Sequence, residues 1–148
     1  MRTECYITRR AEFSASHRLH DPALDEEENR RLFRECNWEG GHGHNYLLEV
    51  TVAGPVDPRT GMVVNLKDLK AVIEERILGP CDHRNLDRDV PFLEGIITTT
   101  ENLCIAFWEE LEEGLSERIG EARLHRIRLR ETRDNFCEYF GPGPAPDG

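Results

Sequence analysis

The stretch Cys36-Asn37-Trp38-Glu39-Gly40-Gly41-His42-Gly43-His44-Asn45-Tyr46 opens a run in which every second residue is apolar. Such alternation predicts a half-buried strand over about residues 44–53. Because strand side chains point to one face at every second position, His42 and His44 are predicted to lie side by side. Two imidazoles that converge on one point are typical of a zinc site. This segment is therefore predicted to form part of the sheet. A bare His-x-His is not specific, so His42 and His44 are interpreted either as metal ligands or as structural or surface histidines.

A loose alternation over residues 4–17 predicts another strand, which ends at His17 with Phe13 on the same face. His17 is the best candidate for a third metal ligand, because its strand can lie beside the histidine pair. His20 ranks second, since it directly precedes the turn signal Asp21-Pro22. Three protein ligands and one open position are the catalytic form of a zinc site.

Two more strands are predicted to close the chain, over residues 122–131 and 135–140. In the first of them, strict alternation places one set of side chains on a common face: His125, Ile127, Leu129 and Glu131. The opposite face then carries Arg126, Arg128 and Arg130. His125 is interpreted as structural or solvent-facing.

Two amphipathic helices are predicted between the strand pairs. Apolar residues at helical spacing predict a helix over residues 65–78, which is expected to stop at Gly79-Pro80. The capping-box pattern Thr98-x-x-Glu101 predicts the start of the second helix. The charged residues 21–35 predict only a solvated short helix or loop.

The resulting order, ββααββ, is typical of an α+β domain whose sheet is mainly antiparallel. Two helices can cover only one face of a four-stranded sheet, and the sheet has exposed edges. Pairing of edges between subunits into a closed barrel would remove those edges. A homo-oligomer is therefore predicted.

Composition excludes several function classes. The 148 residues carry a formal net charge of −10, which disfavours sequence-independent binding to nucleic acid. No run of eighteen apolar residues and no secretory signal is found, so no membrane span is expected. Five cysteines, without a Cys-x-x-Cys pattern, fit a reducing cytosol. One domain is predicted over residues 1–141, with a disordered Pro/Gly tail over 142–148.

Cys36 lies six residues before His42 and has three interpretations. It could fill a buried space, close the zinc site as a fourth ligand, or act as a thiolate base. The polar, glycine-bearing loop that follows argues against the first interpretation. The residues alone leave the other two open.

Other polar residues are weaker candidates. Asp82-His83 follows the first helix, and a carboxylate beside a loop histidine can support proton relay, although an ordinary loop pair is equally consistent with the pattern. Glu131 ends a strand and can offer two carboxylate oxygens to a guanidine-like edge, or simply be solvated. Residues 98–100 are most simply helix-capping threonines.

Taken together, these residues resemble the 6-pyruvoyl-tetrahydropterin synthase family. The resemblance runs from about residue 4 to 141 and rests on several motifs in their order along the chain. They are Phe13-Ser14-Ala15-Ser16-His17-Arg18-Leu19, Cys36-x5-His42-Gly43-His44-Asn45-Tyr46, Asp57-Pro58-x-Thr60-Gly61-Met62-Val63, Asn65-Leu66-x-Asp68-Leu69-Lys70, Asp82-His83-x-Asn85-Leu86, Asp89-Val90-Pro91, Thr99-Thr100-Glu101-Asn102 and Glu131-Thr132.

The resemblance implies a role for each matching residue. It implies a zinc ion, one per subunit, and no redox cofactor. The implied zinc ligands are His17, His42 and His44. The implied catalytic residues are Cys36, Asp82, His83 and Glu131, and Glu131 also anchors the pterin together with lesser contacts from Thr99 and Thr100.

The resemblance also implies the reaction and the assembly. The family converts 7,8-dihydroneopterin triphosphate to 6-pyruvoyl-tetrahydropterin with loss of triphosphate. Its tunnelling fold is a ββααββ unit that trimerises into a twelve-stranded barrel and stacks into a hexamer, a dimer of trimers with active sites between subunits. A cytoplasmic enzyme with a pterin triphosphate substrate, and neither nucleic acid nor membrane as partner, is expected.

Two alternatives remain. The related 6-carboxy-tetrahydropterin synthases of queuosine biosynthesis use the same substrate and typically have three residues between the cysteine and His-Gly-His. The five residues between Cys36 and His42 resemble the pyruvoyl-forming branch instead. A non-catalytic zinc- or pterin-binding module is the alternative of another class, and the complete set of candidate catalytic residues weighs against it.

Overall fold

Two long strands form the centre of the sheet and bring the histidines together. The computed structural model describes residues 3–144, 146 and 147. In it, β1 (Glu4–His17) pairs antiparallel with β2 (His42–Pro55), and the register ends with His17 opposite His42. Gly41 precedes β2 with a φ of 74°, and a Cβ there would lie 3.0 Å from the His17 carbonyl oxygen. Glycine therefore permits β2 to begin this close to the end of β1.

Three shorter strands complete a five-stranded sheet of order β3-β1-β2-β4-β5. They are β3 (Arg84–Asn85), β4 (Arg123–Arg130) and β5 (Phe136–Tyr139). Only β3, which the sequence did not predict, runs parallel to its neighbour β1. The sheet is otherwise antiparallel, as predicted.

The described residues form four α-helices, two 3₁₀ turns and one π-helical segment. The α-helices are α1 (Glu26–Phe33), α2 (Leu66–Ile73), α3 (Gly79–Cys81) and α4 (Thr100–Leu115). A 3₁₀ turn spans Arg34–Asn37, a π-helical segment spans Glu74–Leu78, and a second 3₁₀ turn spans Pro91–Leu93. The short charged helix expected within residues 21–35 is α1, capped by the Asp25 carboxylate.

The core lies between one face of the sheet and the helices α2 and α4. Alternate residues of β2 are fully buried and pack with apolar side chains of both helices, among them Leu69 and Phe107. The opposite face carries paired charges instead, for example Glu49 with Arg10 and Arg128. The predicted α+β unit with helices on one face is confirmed, and one face of the sheet is left polar.

The predicted stop at Gly79-Pro80 is wrong. Helical backbone continues from α2 through the π-helical segment into α3 and ends at Cys81. Proline is tolerated in the first turn of a helix, where its missing N–H is not needed. The wider π turn before Gly79 makes α3 such a first turn, so Pro80 does not end the helix.

The cap of α4 also differs from the prediction by one residue. Thr99, not Thr98, is the N-cap, and its hydroxyl accepts a hydrogen bond from the Asn102 N–H at 3.2 Å. Thr98 is completely buried and bonds elsewhere. The capping-box pattern selected Thr98 because Glu101 follows three residues later, whereas the residue three after Thr99 is Asn102.

The predicted common face of β4 is interrupted. The register shifts at the Arg126–Leu124 step, where Arg126 lies opposite Thr51 and Leu124 opposite Val52. His125 is thus the extra residue of a bulge, and Leu124, not His125, packs in the core. The His125 ring lies against Tyr6 at 4.6 Å, consistent with a structural role.

Both ends of the chain include residues that the structure does not describe. Residues 1, 2, 145 and 148 lie outside the described part of the chain, so the predicted domain 1–141 and tail 142–148 stay predictions. Over the described residues, no helix is both long and apolar enough to cross a membrane.

Candidate metal centre and active site

Three histidines converge where β1 ends and β2 begins. One ligand atom from each of His17, His42 and His44 lies within 4.8 Å of the others. The register explains this, because His17 is opposite His42 and Ala15 is opposite His44. The ring centroids are 4.7 to 5.2 Å apart. The three predicted metal ligands are therefore brought together by strand pairing alone.

The donor set fits a metal ion. The His17 ring donates from Nδ1 to the Thr98 carbonyl oxygen at 2.8 Å, which leaves its Nε2 lone pair 3.1 Å from His42 Nε2. Ligand nitrogens around tetrahedral zinc are about 3.3 Å apart. His44 Nε2 is buried without a hydrogen-bond partner. Burial lowers the pKa of His17 and of His44, so both rings favour the neutral form that binds metal.

A chain of hydrogen bonds runs from the buried His17 ring to the exposed Asp87. The Thr98 hydroxyl, fully buried, donates to Asp87 Oδ1 at 2.7 Å, and the Arg18 main-chain N–H donates to Asp87 Oδ2 at 2.7 Å. Such partners fix the tautomer and orientation of a ligating histidine. The sequence treated Thr98 as a capping residue and did not single out Asp87. No local pattern links these residues, because the three partners are far apart along the chain.

Glu131 lies on the opposite side of the triad. Its Oε2 accepts a hydrogen bond from the Thr100 hydroxyl at 2.7 Å, and its Oε1 is 3.5 Å from His44 Nε2. The carboxylate is thus held beside the histidine cluster, and its predicted role as pterin anchor stays a prediction. Thr100 touches it directly, whereas the Thr99 hydroxyl is used as the cap of α4.

Tyr46 forms the floor below the histidines and was not among the predicted site residues. Its ring stacks on Phe13 at 5.0 Å and lies 5.6 Å from the His44 ring. The side chain is fully buried, and its hydroxyl has no hydrogen-bond partner among the described residues. Burial raises the pKa of Tyr46, so this phenol stays neutral. The alternation of β2 could have revealed it, because it shares the face of His44.

Cys36 lies close by but outside the metal-binding set. It is a half-buried free thiol in the 3₁₀ turn, and its carbonyl accepts the Leu19 N–H at 2.8 Å. The side chain of Arg18 donates from Nε to the Asn37 carbonyl at 2.8 Å, which ties the same turn to the end of β1. The candidate ligand cluster found over the described residues holds three histidines and no thiol. Cys36 is therefore not among the candidate metal ligands of the described residues.

Asp82 and His83 form a pair on the sheet edge. His83 Nδ1 lies 2.9 Å from Asp82 Oδ1, and the same carboxylate oxygen accepts the Ser14 N–H at 3.0 Å. His83 has a φ of 59°, held by its N–H bond to the Ser14 carbonyl. Its side chain is 79% exposed. His83 lines a shallow groove together with His44, but over the described residues the pair makes no hydrogen bond or ring contact with the triad.

His20, the second choice as ligand, does not join the cluster. Its Nδ1 lies 3.1 Å from the Asn37 side-chain amide.

Comparison with known proteins identifies the family. The sequence model described as 6-pyruvoyl tetrahydropterin synthase matches residues 6–142. The chain belongs to this family. It is 46% identical over 140 residues to the human 6-pyruvoyl tetrahydrobiopterin synthase, covering 95% of this chain and 94% of the relative. The Drosophila melanogaster protein of the same name is 45% identical over 139 residues, covering 94% of this chain and 81% of that protein.

Other relatives of the family are more distant or are known in three dimensions. A putative 6-carboxy-5,6,7,8-tetrahydropterin synthase of Archaeoglobus fulgidus is 35% identical over 98 residues, 66% of this chain and 73% of that protein. The solved structure of Caenorhabditis elegans 6-pyruvoyl tetrahydropterin synthase superimposes with a TM-score of 0.88 at 39% identity, covering 95% of this chain and 99% of that one. The fold is therefore the tunnelling fold of this family.

Proposed function

We propose that this chain is a zinc-dependent lyase that converts 7,8-dihydroneopterin triphosphate to 6-pyruvoyl-tetrahydropterin and triphosphate, in tetrahydrobiopterin-type pterin biosynthesis. The observation that carries the proposal is the three-histidine cluster with Glu131 held 3.5 Å from His44. Sequence similarity to named pyruvoyl-forming synthases over 95% of the chain supports the same reaction.

Each residue has a defined task in this proposal. Glu131 accepts two N–H groups from the amino-pyrimidine edge of the pterin and thereby sets the ring beside the metal position. Cys36, as thiolate, takes a proton from the substrate side chain. The His83 imidazole, oriented by Asp82, relays protons during tautomerisation. Zinc, when bound by the three histidines, supplies Lewis-acid polarisation of the side-chain oxygens.

The proposal includes a homo-oligomer, a hexamer built as a dimer of trimers. β3 covers the outer side of β1 only at Ala15 and Ser16, and β5 is the other edge of the described sheet, so both sides expose unpaired backbone groups that pairing between subunits would satisfy. The 79% exposure of the His83 side chain supports an active site completed by another subunit. Five free thiols are consistent with the proposed cytosolic location.

A 6-carboxy-tetrahydropterin synthase is the second candidate, favoured by the similarity to the archaeal relative. The five-residue spacer between Cys36 and His42 and the higher identity to pyruvoyl-forming relatives favour the first candidate. A non-catalytic zinc- or pterin-binding module is opposed by the ordered Asp82–His83 pair, which metal storage does not require.

The deciding experiment is incubation of the zinc-loaded chain with dihydroneopterin triphosphate, followed by mass analysis of the product. The pyruvoyl product is expected, together with one equivalent of triphosphate. A carboxy product would assign the chain to the other branch. Absence of conversion by zinc-loaded protein would rule out both enzymatic functions and favour the binding module.

A further inference from the structure

Two of the five cysteines lie next to each other between α4 and β5, and the proposed function gives neither of them a task. Cys104 is fully buried on α4, and Cys137 is half-buried on β5, 33 residues later in the chain. The Cys104 thiol donates to the Cys137 carbonyl oxygen at 3.8 Å. The two thiols also form a hydrogen bond with each other. A helix and a strand thus bring together two sulfur atoms that one covalent bond can join.

The remaining three thiols belong to Cys5, Cys36 and Cys81. Within the described part of the chain, no hydrogen bond joins any of them to a second cysteine. They also differ from one another in surroundings, since Cys5 is exposed, Cys36 is half-buried and Cys81 is buried. Contact between two thiols is therefore a property of the α4–β5 junction alone among the described cysteines.

The two thiols of the junction differ in how readily they react. Burial raises the pKa of Cys104 strongly, and the neighbouring Cys137 raises it further. Burial also raises the pKa of Cys137, but the hydrogen bond from Cys104 opposes part of this rise. Because the thiolate is the form that reacts with an oxidant, the half-buried Cys137 reacts first, slowly and only with a small oxidant in excess. Cys104, which solvent does not reach, can react only with its neighbour.

The junction lies close to the contact that holds Glu131. Cys104 follows Thr100 by one turn of α4, and the Thr100 hydroxyl donates to the Glu131 carboxylate. Cys137 lies opposite Leu129, two residues before Glu131. Its strand, β5, has four residues and forms one edge of the described sheet. A bond between the two sulfur atoms would therefore fasten this edge of the sheet to the helix that contacts Glu131.

We propose that Cys104 and Cys137 form a site of reversible oxidation, at which hydrogen peroxide converts the thiol pair to a disulfide that fastens β5 to α4. The Cys137 thiolate attacks one peroxide oxygen, the O–O bond breaks, and the departing hydroxide takes up the thiol proton to form water. The Cys104 thiol then attacks the sulfur of the resulting sulfenic acid, the S–O bond breaks, and a second water leaves with the Cys104 proton. The two sulfur atoms lose two electrons, which reduce the peroxide. This inference does not depend on the proposed reaction.

The test treats the zinc-loaded full-length chain with excess hydrogen peroxide, alkylates the remaining thiols and identifies the peptides by mass spectrometry. Peptides joined through Cys104 and Cys137 are expected, and dithiothreitol should restore both free thiols. Hydrogen exchange of the β5 amides should slow by about tenfold or more in the oxidised chain, because a strand that is covalently fastened opens less often. These readouts are structural, since peroxide can also oxidise Cys36 and thereby lower turnover.

Two variants remove one partner each. Cys137→Ala lacks the thiol that reacts first, so peroxide should form no joined peptide and should leave the β5 exchange rates unchanged. Cys104→Val fills the buried position with an apolar side chain and should give the same result through loss of the second partner. Cys5→Ala is the matched control, because it removes an exposed thiol in β1. It should form the disulfide as the wild type does.

Three outcomes would overturn this inference, and none of them concerns the proposed reaction. The first is a free Cys104 thiol in chains whose Cys137 has been oxidised to the sulfinic acid, since the two sulfur atoms would then not meet. The second is a disulfide that joins other cysteines in place of this pair. The third is a joined peptide without any slowing of β5 exchange, because the bond would then not fasten the strand.

Discussion

The histidine cluster and the Asp82–His83 pair lie on the same end of the sheet but are built in different ways. His17 is buried, with 1% of its surface exposed, and is held by a chain of hydrogen bonds from Thr98 and Asp87. The His83 side chain is 79% exposed and is fixed mainly through its backbone and one carboxylate. One chain thus brings the three candidate metal ligands together by itself, whereas the Asp82–His83 pair lies exposed at the edge of the sheet.

The largest expected effect comes from removing one candidate metal ligand from the histidine cluster. His42→Ala removes a candidate ligand whose ring nitrogen is 3.1 Å from His17 Nε2. Zinc content is expected to fall well below one per chain, and turnover to fall by roughly a thousandfold or more, because metal polarisation is lost. Metal analysis and the product assay measure both. His125→Asn, a histidine outside the cluster, should retain zinc; full zinc content in His42→Ala would remove this histidine from the ligand set.

The next two variants test the proposed proton-transfer groups, Cys36 and His83, without changing the candidate metal ligands. Cys36→Ala and His83→Gln are each expected to lower turnover by about 10²- to 10⁴-fold while zinc stays bound. Cys5→Ala, which alters an exposed thiol remote from the site, serves as the control. Loss of zinc in Cys36→Ala would instead show a closed, structural metal site.

A mixture of Cys36→Ala and His83→Gln tests whether Cys36 and His83 of one active site come from the same subunit or from two subunits. If the exposed pair serves a neighbouring subunit, equimolar co-refolded protein should regain roughly a quarter of wild-type activity, the fraction of sites that receive both intact groups. If both groups act within one subunit, no site in the mixture is complete. An inactive mixture would therefore show that each chain builds its own site.

A smaller effect on zinc affinity is expected when the hydrogen bond between Thr98 and Asp87 is removed. Thr98→Val removes the hydroxyl that donates to Asp87 but keeps the carbonyl that accepts from His17. Zinc affinity, measured by competition with a chelator, is expected to fall about tenfold. Thr8→Val removes a comparable hydroxyl pair with Thr51 on the other face of the sheet. That control should leave zinc affinity unchanged, and a similar loss in both variants would indicate a general effect on folding.

The smallest effect concerns pH. Burial lowers the pKa of His17 in the folded chain, so below about pH 6.5 the unfolded chain binds protons that the folded chain does not. The free energy of unfolding of chelator-treated protein should therefore fall between pH 7.5 and 5.5, by on the order of 1 kcal/mol. Urea unfolding at both pH values measures the change. His17→Gln should reduce the difference, and an unchanged difference would assign it to other groups.

What the sequence revealed depended on the range of the interactions involved. The strand 4–17 was predicted with the observed bounds, and three ligands were named, because alternation and strand pairing are local or near-local rules. The bulge at His125 was missed, since a single extra residue leaves no signal in an otherwise regular alternation. Thr98 was wrongly predicted as a helix cap, because its hydrogen bonds join residues that are distant along the chain. Its partners Asp87 and His17 are neighbours only after the chain has folded.

The π-helical segment at residues 74–78 has a consequence for insertions and deletions. Each residue of an α-helix advances the chain by about 100° around the axis. Removing one residue from this segment would restore an ordinary helix and rotate everything after it by about that angle. Asp82 now accepts the Ser14 N–H directly after the helix ends, so its position depends on this extra residue. The π-helical segment therefore sets the direction in which the chain leaves the helix. The position of the Asp82–His83 pair at the sheet edge depends on the number of residues in this segment as much as on the chemistry of the two side chains.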